Sequence, residues 1–282
     1  VSILEGIILG LLQGLTEFLP VSSSGHLALG RALFNNPALR ESPLLFDVAV
    51  HAATLCAIVI YFRREVWCMI RGGVMTLLAV SKRFRPHPNS QAAADRRLFA
   101  YVVVASVPTA VGGLLLKDYV EGALQHPVPV GLLLCITGII LFVTRGFRGE
   151  GRSLKQMTAW DALIVGIAQT FAVLPGISRS GSTIGTAIVL GLRRKLAARF
   201  SFLIAVPAIT GAAVIELPGL FSKSAGDLVV PTLLGALAAF ISGYAAILLL
   251  IRVLEKRKLA WFAPYCWVVG ILAIVLGLVY GS

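Results

Sequence analysis

Two short polar stretches interrupt a chain that is otherwise apolar. Gln13 to His26 reads QGLTEFLPVSSSGH, and Pro175 to Thr183 reads PGISRSGST. The first stretch sets a carboxylate, Glu17, ahead of three hydroxyls, Ser22, Ser23 and Ser24, and an imidazole, His26. Together these are a nucleophile, a base and an acidic orienter. The second stretch sets one guanidinium, Arg179, among Ser178, Ser180 and Thr183, with Gly176 and Gly181 close by. A guanidinium fork offers paired hydrogen bonds to phosphate or carboxylate. A small, donor-rich turn that opens a helix adds free N–H groups and a dipole suited to an anion. Gln13 lies four residues before Glu17, so the two share one helix face.

Blander readings exist for each part. Arg179 and Glu17 could form a structural ion pair, a serine run is usually a turn or an N-cap, and a lone histidine is more often structural than catalytic. Asp47 and His51 share a helix face and read equally well as a buried pair or as site residues. What favours chemistry is the surroundings. A carboxylate near mid-membrane costs roughly 2.5–3.5 kcal/mol on insertion scales, so it needs a partner or a wet cavity. Pro20 and Gly25 break regular helix, and non-helical backbone at membrane depth survives only where protein or a water-filled cavity covers it.

The membrane setting follows from composition. Of 282 residues, 57% are apolar and 13% charged, the latter about half the usual share of a soluble domain. No polar stretch is long enough to bury a separate soluble core, so residues 1–282 are expected to form a single membrane domain. The opening apolar run carries Glu5 and Glu17 without a basic leader, which argues against a cleaved signal peptide. The net charge of +12 reads as basic cytoplasmic loops, and no basic face is interleaved with aromatics as nucleic-acid binding would require. Cys56, Cys68, Cys135 and Cys266 are scattered in apolar segments and show no metal or disulfide pattern.

Six full spans are expected: Leu44–Phe62, Leu98–Leu116, Val130–Thr144, Phe200–Leu220, Val229–Ile251 and Trp261–Tyr280. Val66–Val80, interrupted by Arg71, Gly72 and Gly73, reads as an interfacial or partly inserted helix. The two polar stretches sit in apolar hairpins too short for two spans, so each must return to the side it left. At an offset of 156, Gln13, Ser22, Ser24 and Gly25 meet Gln169, Ser178, Ser180 and Gly181, and the match continues from Phe46 and Thr54 to Phe202 and Thr210. This predicts two repeats, about 1–145 and 156–282. Each holds three full spans, so the second enters from the opposite side, giving an inverted-topology repeat. With the N-terminus outside, 20 of the 25 basic residues fall inside and four outside, with Arg179 belonging to neither. The fold expected is therefore an all-α integral membrane protein with six transmembrane helices and two re-entrant hairpins. The hairpin tips would meet near the midplane, where broken helices build substrate sites.

The two polar stretches, with the (Glu/Gln)-x-x-x-Glu pattern at Gln13 and Glu17, resemble the signature motifs of bacterial undecaprenyl pyrophosphate phosphatase of the bacitracin-resistance type. The resemblance covers essentially the whole chain. It implies hydrolysis of a polyprenyl diphosphate lipid to its monophosphate and inorganic phosphate, which recycles the carrier for cell-wall polymers. It also implies a divalent cation, Mg2+ or Ca2+, and a site on the periplasmic side of the bacterial inner membrane. Gln13 takes the Gln alternative, which bears against any mechanism needing two carboxylates there. On this reading Ser23 is the nucleophile, with Ser22 and Ser24 as poorer candidates. Glu17 activates it or holds metal, and a magnesium ion can be shared between few carboxylates and substrate oxygens. His26 is general acid/base or itself the nucleophile. Arg179 clamps the phosphoryl oxygens, with Gln13, Ser178, Ser180 and Thr183 as further substrate contacts. Phosphoryl transfer needs mainly positioning and charge stabilisation. Ser24 to His26 is also similar to lipid phosphatases of the phosphatidic-acid type, but the second His of that pattern is missing. The partners expected are the lipid substrate and the bilayer. A homodimer is allowed but not specified by any feature of the chain. The alternative function is a transporter or flippase for a phosphorylated lipid or small anion, which would need the clamp but no nucleophile.

Overall fold

The structure is a computed structural model that describes residues 2–34, 43–80, 87, 90–116, 119–120, 126–147, 149–220 and 229–280. The loop expected at 35–42 and the charged positions Arg40, Lys82, Arg83, Arg85, Lys117, Asp118, Glu121, Arg148 and Lys223 lie outside them. The described residues form eleven α-helices: α1 (Ile3–Phe18), α2 (Ser23–Phe34), α3 (Pro43–Tyr61), α4 (Arg63–Val80), α5 (Gln91–Leu115), α6 (Pro127–Val143), α7 (Ala159–Phe171), α8 (Arg179–Val189), α9 (Arg194–Leu220), α10 (Val229–Glu255) and α11 (Ala263–Tyr280). Short 3-10 turns at Thr144–Gly146 and Leu259–Phe262 follow α6 and precede α11.

Five of these helices, α5, α6, α9, α10 and α11, are long and apolar enough to cross a membrane, and α3 with α4 makes a sixth candidate across an 88° bend. The right angle falls at Phe62, where Arg63 and Arg64 follow the last apolar turn of α3. Large apolar side chains stay exposed along the outside, among them Leu115, Leu233, Val268 and Leu278. Exposed apolar surface on this scale belongs against lipid rather than water. The chain is a multi-pass, all-α integral membrane protein.

The broken helices have local causes. A capping box of Ser2 and Glu5 starts α1, and Pro20 ends it by holding Leu19 in extended backbone. A second capping box, Thr158 with Asp161, starts α7. Neither α1 nor α7 continues as a span: the 16 residues of α1 rise only about 24 Å.

Packing repeats between the halves. α1 lies against α10, and α7 lies against α5. The approach is closest at glycines 156 positions apart. A Cβ on Gly10 would fall 2.0 Å from the carbonyl oxygen of Gly235, and one on Gly166 would fall 2.3 Å from that of Ala105. Only glycine allows backbones so near. Around the first hairpin the core is aromatic: the ring of Phe18, next to Glu17, packs edge-on to Phe202 at 5.7 Å, and Phe202 in turn meets Phe62 at 5.1 Å.

Candidate active site

The two polar stretches meet. Ser22 adopts a left-handed backbone with φ of 71°, unusual for a residue with a Cβ, and this reverses the chain between α1 and α2. Gly176, with φ of 106°, turns the second stretch. The Gly176 N–H donates to Ser22 Oγ at 3.1 Å, and Ser180 Oγ donates to the Leu19 carbonyl at 3.2 Å. Thr137 on α6 braces the second tip: its hydroxyl donates to the Gly176 carbonyl at 2.9 Å and accepts from Ser178 N–H at 3.0 Å. Cys266 on α11 braces the first through the Pro20 carbonyl, at 3.6 Å.

The tips repeat one local design. Ser22 Oγ approaches Ser24 Oγ at 3.4 Å and accepts from Gly25 N–H, while Ser178 Oγ approaches Ser180 Oγ at 3.2 Å and accepts from Gly181 N–H. In this register Ser23 and Arg179 occupy equivalent positions, each the first residue of its helix.

Glu17 stands at the centre and is buried. Its Oε1 accepts from Arg179 Nη2 at 2.5 Å. Its Oε2 accepts from Ser23 Oγ at 2.6 Å and from Gln13 Nε2 at 3.1 Å. One carboxylate thus holds the hydroxyl and the guanidinium side by side. Charge-assisted bonds of this kind are short and about twice as strong as neutral ones. Gln13 Oε1 is buried with no hydrogen-bond partner among the described residues.

The group opens into a cleft of about 330 Å3. Its polar wall comprises Glu17, Ser22, Ser23, Ser24, Ser178 and Arg179, and its apolar wall comes from α2 and α9 through Leu27, Ile209 and Ala212. Asp47, His51 and Glu216 also line it. His51 Nδ1–H donates to the Asp47 carbonyl at 2.8 Å, which leaves Nε2 as the nitrogen available to the cleft.

Four expected site residues do not line the cleft: Gln13 is buried behind Glu17, Ser180 Oγ is turned to the Leu19 carbonyl, and His26 and Thr183 point elsewhere. His26 is buried behind the serine turn and does not line the cleft. Its Nδ1–H donates to the Ser22 carbonyl and its Nε2 accepts from the Tyr265 hydroxyl, both at 2.8 Å. The Tyr265 ring stacks on it within 5° of parallel. Thr183 is buried, and its hydroxyl bonds the Arg179 carbonyl and Ser201 Oγ. Both are one turn into their helices, where the side chain has rotated away from the tip.

Among the described residues no group of three or more His, Cys, Asp and Glu is placed to hold a metal. A cation caged by protein alone does not fit this site. One shared with substrate oxygens does: Glu17 keeps lone-pair capacity beside the orphaned Gln13 Oε1, and amide and carboxylate oxygens both suit hard cations.

A membrane cleft holding a carboxylate-bound serine beside a guanidinium fork defines the class: an integral-membrane protein equipped to act on an anionic, lipid-borne group. The chain belongs to the family described as bacitracin resistance protein BacA, whose model matches residues 6–272. It is 44% identical over 277 residues to the undecaprenyl-diphosphatase of Desulforapulum autotrophicum, covering 98% of each chain. It is also 44% identical over 269 residues to the undecaprenyl-diphosphatase of Syntrophotalea carbinolica, covering 95% of this chain and 97% of the relative. A relative from Methanosphaera stadtmanae, also an undecaprenyl-diphosphatase, is 38% identical over 279 residues, covering 99% of both chains.

Proposed function

We propose that the protein hydrolyses undecaprenyl diphosphate to the monophosphate and inorganic phosphate, recycling the carrier lipid for cell-wall synthesis and so conferring bacitracin resistance. The curated relatives carry that activity in their names. The observation that carries it here is the 2.6 Å bond from Ser23 Oγ to Glu17, beside Arg179. An anion clamp for transport would not need an activated hydroxyl next to it.

Arg179 takes the terminal phosphoryl oxygens. Its bond to Glu17 uses Nη2; Nη1 and Nε have no hydrogen-bond partner among the described residues, and the side chain lines the cleft. Ser23 Oγ attacks the terminal phosphorus as its proton passes to Glu17. A Ser–phosphorus bond forms and the bond to the bridging oxygen breaks, releasing the lipid monophosphate with that electron pair. Water then attacks the phosphoserine phosphorus and the Ser23 Oγ–phosphorus bond breaks; Glu17 returns its proton to Ser23 Oγ, and inorganic phosphate leaves carrying both protons of the water. Charge is stabilised by groups already in place, which is how most phosphoryl-transfer sites work. With its Nδ1–H given to the Asp47 carbonyl, His51 presents Nε2 to the cleft as an acceptor, suited to orienting the attacking water. His26 holds the serine turn from behind.

A divalent cation, magnesium or calcium, would be held by Glu17, with Gln13 behind it, together with the diphosphate, and would supply neutralisation of phosphate charge. The basic-loop asymmetry supports placing the protein in the bacterial inner membrane with the cleft toward the periplasmic side. Phosphate release from a polyprenyl diphosphate by the purified protein, with and without chelator, tests the reading. No release under either condition rejects it.

A further inference from the structure

A second cavity, of about 670 Å3, opens where four helix ends converge: the C-terminal ends of α6 and α10 and the N-terminal ends of α9 and α11. Its lining holds three guanidinium groups, Arg145, Arg194 and Arg257, and three aromatic rings, Phe142, Trp261 and Trp267, with no carboxylate. It is separate from the hydrolytic cleft: Arg145 at this mouth is eight positions, or about 12 Å of helix rise, beyond Thr137 at the tips.

Basic residues at helix C-termini and at one membrane face have an ordinary explanation in the helix dipole and the positive-inside bias. Four details go further. Arg194 donates through Nη2 to the Phe147 carbonyl, while its Nε is buried without a partner among the described residues. Arg257 sits in the left-handed region, φ 57°, at the end of α10, where glycine is the usual occupant. Arg145 lies over the Phe142 ring at 5.1 Å, and Lys258 over the Trp261 ring at 3.7 Å, so cations are held on aromatic faces. The Trp267 indole donates to the Cys135 carbonyl at 3.2 Å and is fixed. Three like charges around one space, a buried donor left over and a rigid aromatic floor make a receptor for an anion bearing several acceptor oxygens.

The surroundings specify the rest of the ligand. Trp261 and Val268 are more than half exposed beside the mouth, on the outer face that meets lipid. Basic pockets between membrane helices, edged by tryptophan, suit lipid phosphates whose tails remain in the bilayer. We propose that this cavity binds the phosphate head group of an anionic membrane lipid, at a site distinct from the diphosphate cleft and independent of the reaction assigned there.

The test uses the full chain in neutral detergent, with tryptophan fluorescence read during titration with brominated phosphatidylglycerol or brominated phosphatidylcholine. Arg145→Gln/Arg257→Gln removes two charges at exposed positions. Wild type should be half-quenched at an about tenfold lower fraction of the anionic lipid, and the double variant should lose that preference. Trp261→Phe should remove much of the selective quench, placing it at this cavity. Unchanged melting temperature and hydrolysis in the double variant establish that it is folded. Equal quenching by the two lipids, or a preference that survives the double substitution, overturns the proposal. Reversal of the quench by millimolar inorganic phosphate alone would show a small-anion site and overturn the lipid assignment.

Discussion

The N–H of Gly176 donates to the hydroxyl of Ser22 across 154 residues of sequence. This bond joins the two hairpin tips, and both residues have positive φ. Gly176→Ala is doubly penalised, because its Cβ would fall 2.4 Å from the Val130 carbonyl oxygen in a conformation strained for any side chain. It should cost at least about 2 kcal/mol and abolish activity. Ser22→Ala leaves a buried N–H unpaired and should cost about 1–3 kcal/mol. Thermal melting in detergent measures both. Wild-type stability in Gly176→Ala would contradict the described junction.

Arg179 has two roles that a substitution series separates. It neutralises buried Glu17, and its side chain lines the cleft. Removing one partner of a buried pair typically costs about 3–5 kcal/mol, so Arg179→Ala should lose stability as well as turnover. Arg179→Lys keeps the charge and loses the fork; it should melt near wild type yet lose about 100-fold or more in kcat/KM. A folded Arg179→Ala protein with near-normal hydrolysis would remove the clamp from the account.

The histidines divide differently. Since His26 is held between Ser22 and Tyr265, His26→Ala and Tyr265→Phe should impair activity through one shared route. Their effects should be non-additive, with a coupling of about 1 kcal/mol or more in a double-mutant cycle. His51→Ala should instead raise KM or lower kcat with melting near wild type, because its ring lines the cleft and its Nδ1–H bonds a carbonyl of its own helix. Additive effects of His26→Ala and Tyr265→Phe would show that the ring pair is not a unit.

Orientation is testable from the asymmetry of basic residues, 20 inside against four outside. A cysteine replacing Glu150, which is exposed in the connection between α6 and α7, should react with an impermeant reagent only after the membrane is opened. Labelling of that position in intact cells would invert the proposed topology.

Much of this architecture was legible in the sequence, and the reason is periodicity. Apolar runs of span length located α5, α6, α9, α10 and α11, and Pro20 and Pro175 marked where the hairpins break. The match of Ser22, Ser24 and Gly25 with Ser178, Ser180 and Gly181 pointed to two similar turns, and the structure shows the same hydroxyl and N–H contacts in each. Side-chain direction was not legible. Nothing in the spacing of Ser23, His26 and Glu17 says that the left-handed turn at Ser22 sends the Ser23 hydroxyl to Glu17 and the imidazole to the back. Tyr265 is 239 residues from His26, and Glu216 reaches the cleft from a helix whose polar residues carry no local signal. Asp47 and His51 share a face, but only the packing of α3 against α10 and α9 decides that the face is the cleft's.

The central claim is that Ser23 performs the chemistry. It should be tested by single-turnover phosphate release from a polyprenyl diphosphate, measured beside substrate binding in Ser23→Ala. Binding should persist through Arg179 and the turn donors, melting should stay near wild type, and the rate should fall by at least about 1,000-fold. Ser22→Ala and Ser24→Ala should lose less. A folded Ser23→Ala protein that releases phosphate at the wild-type rate would contradict the account.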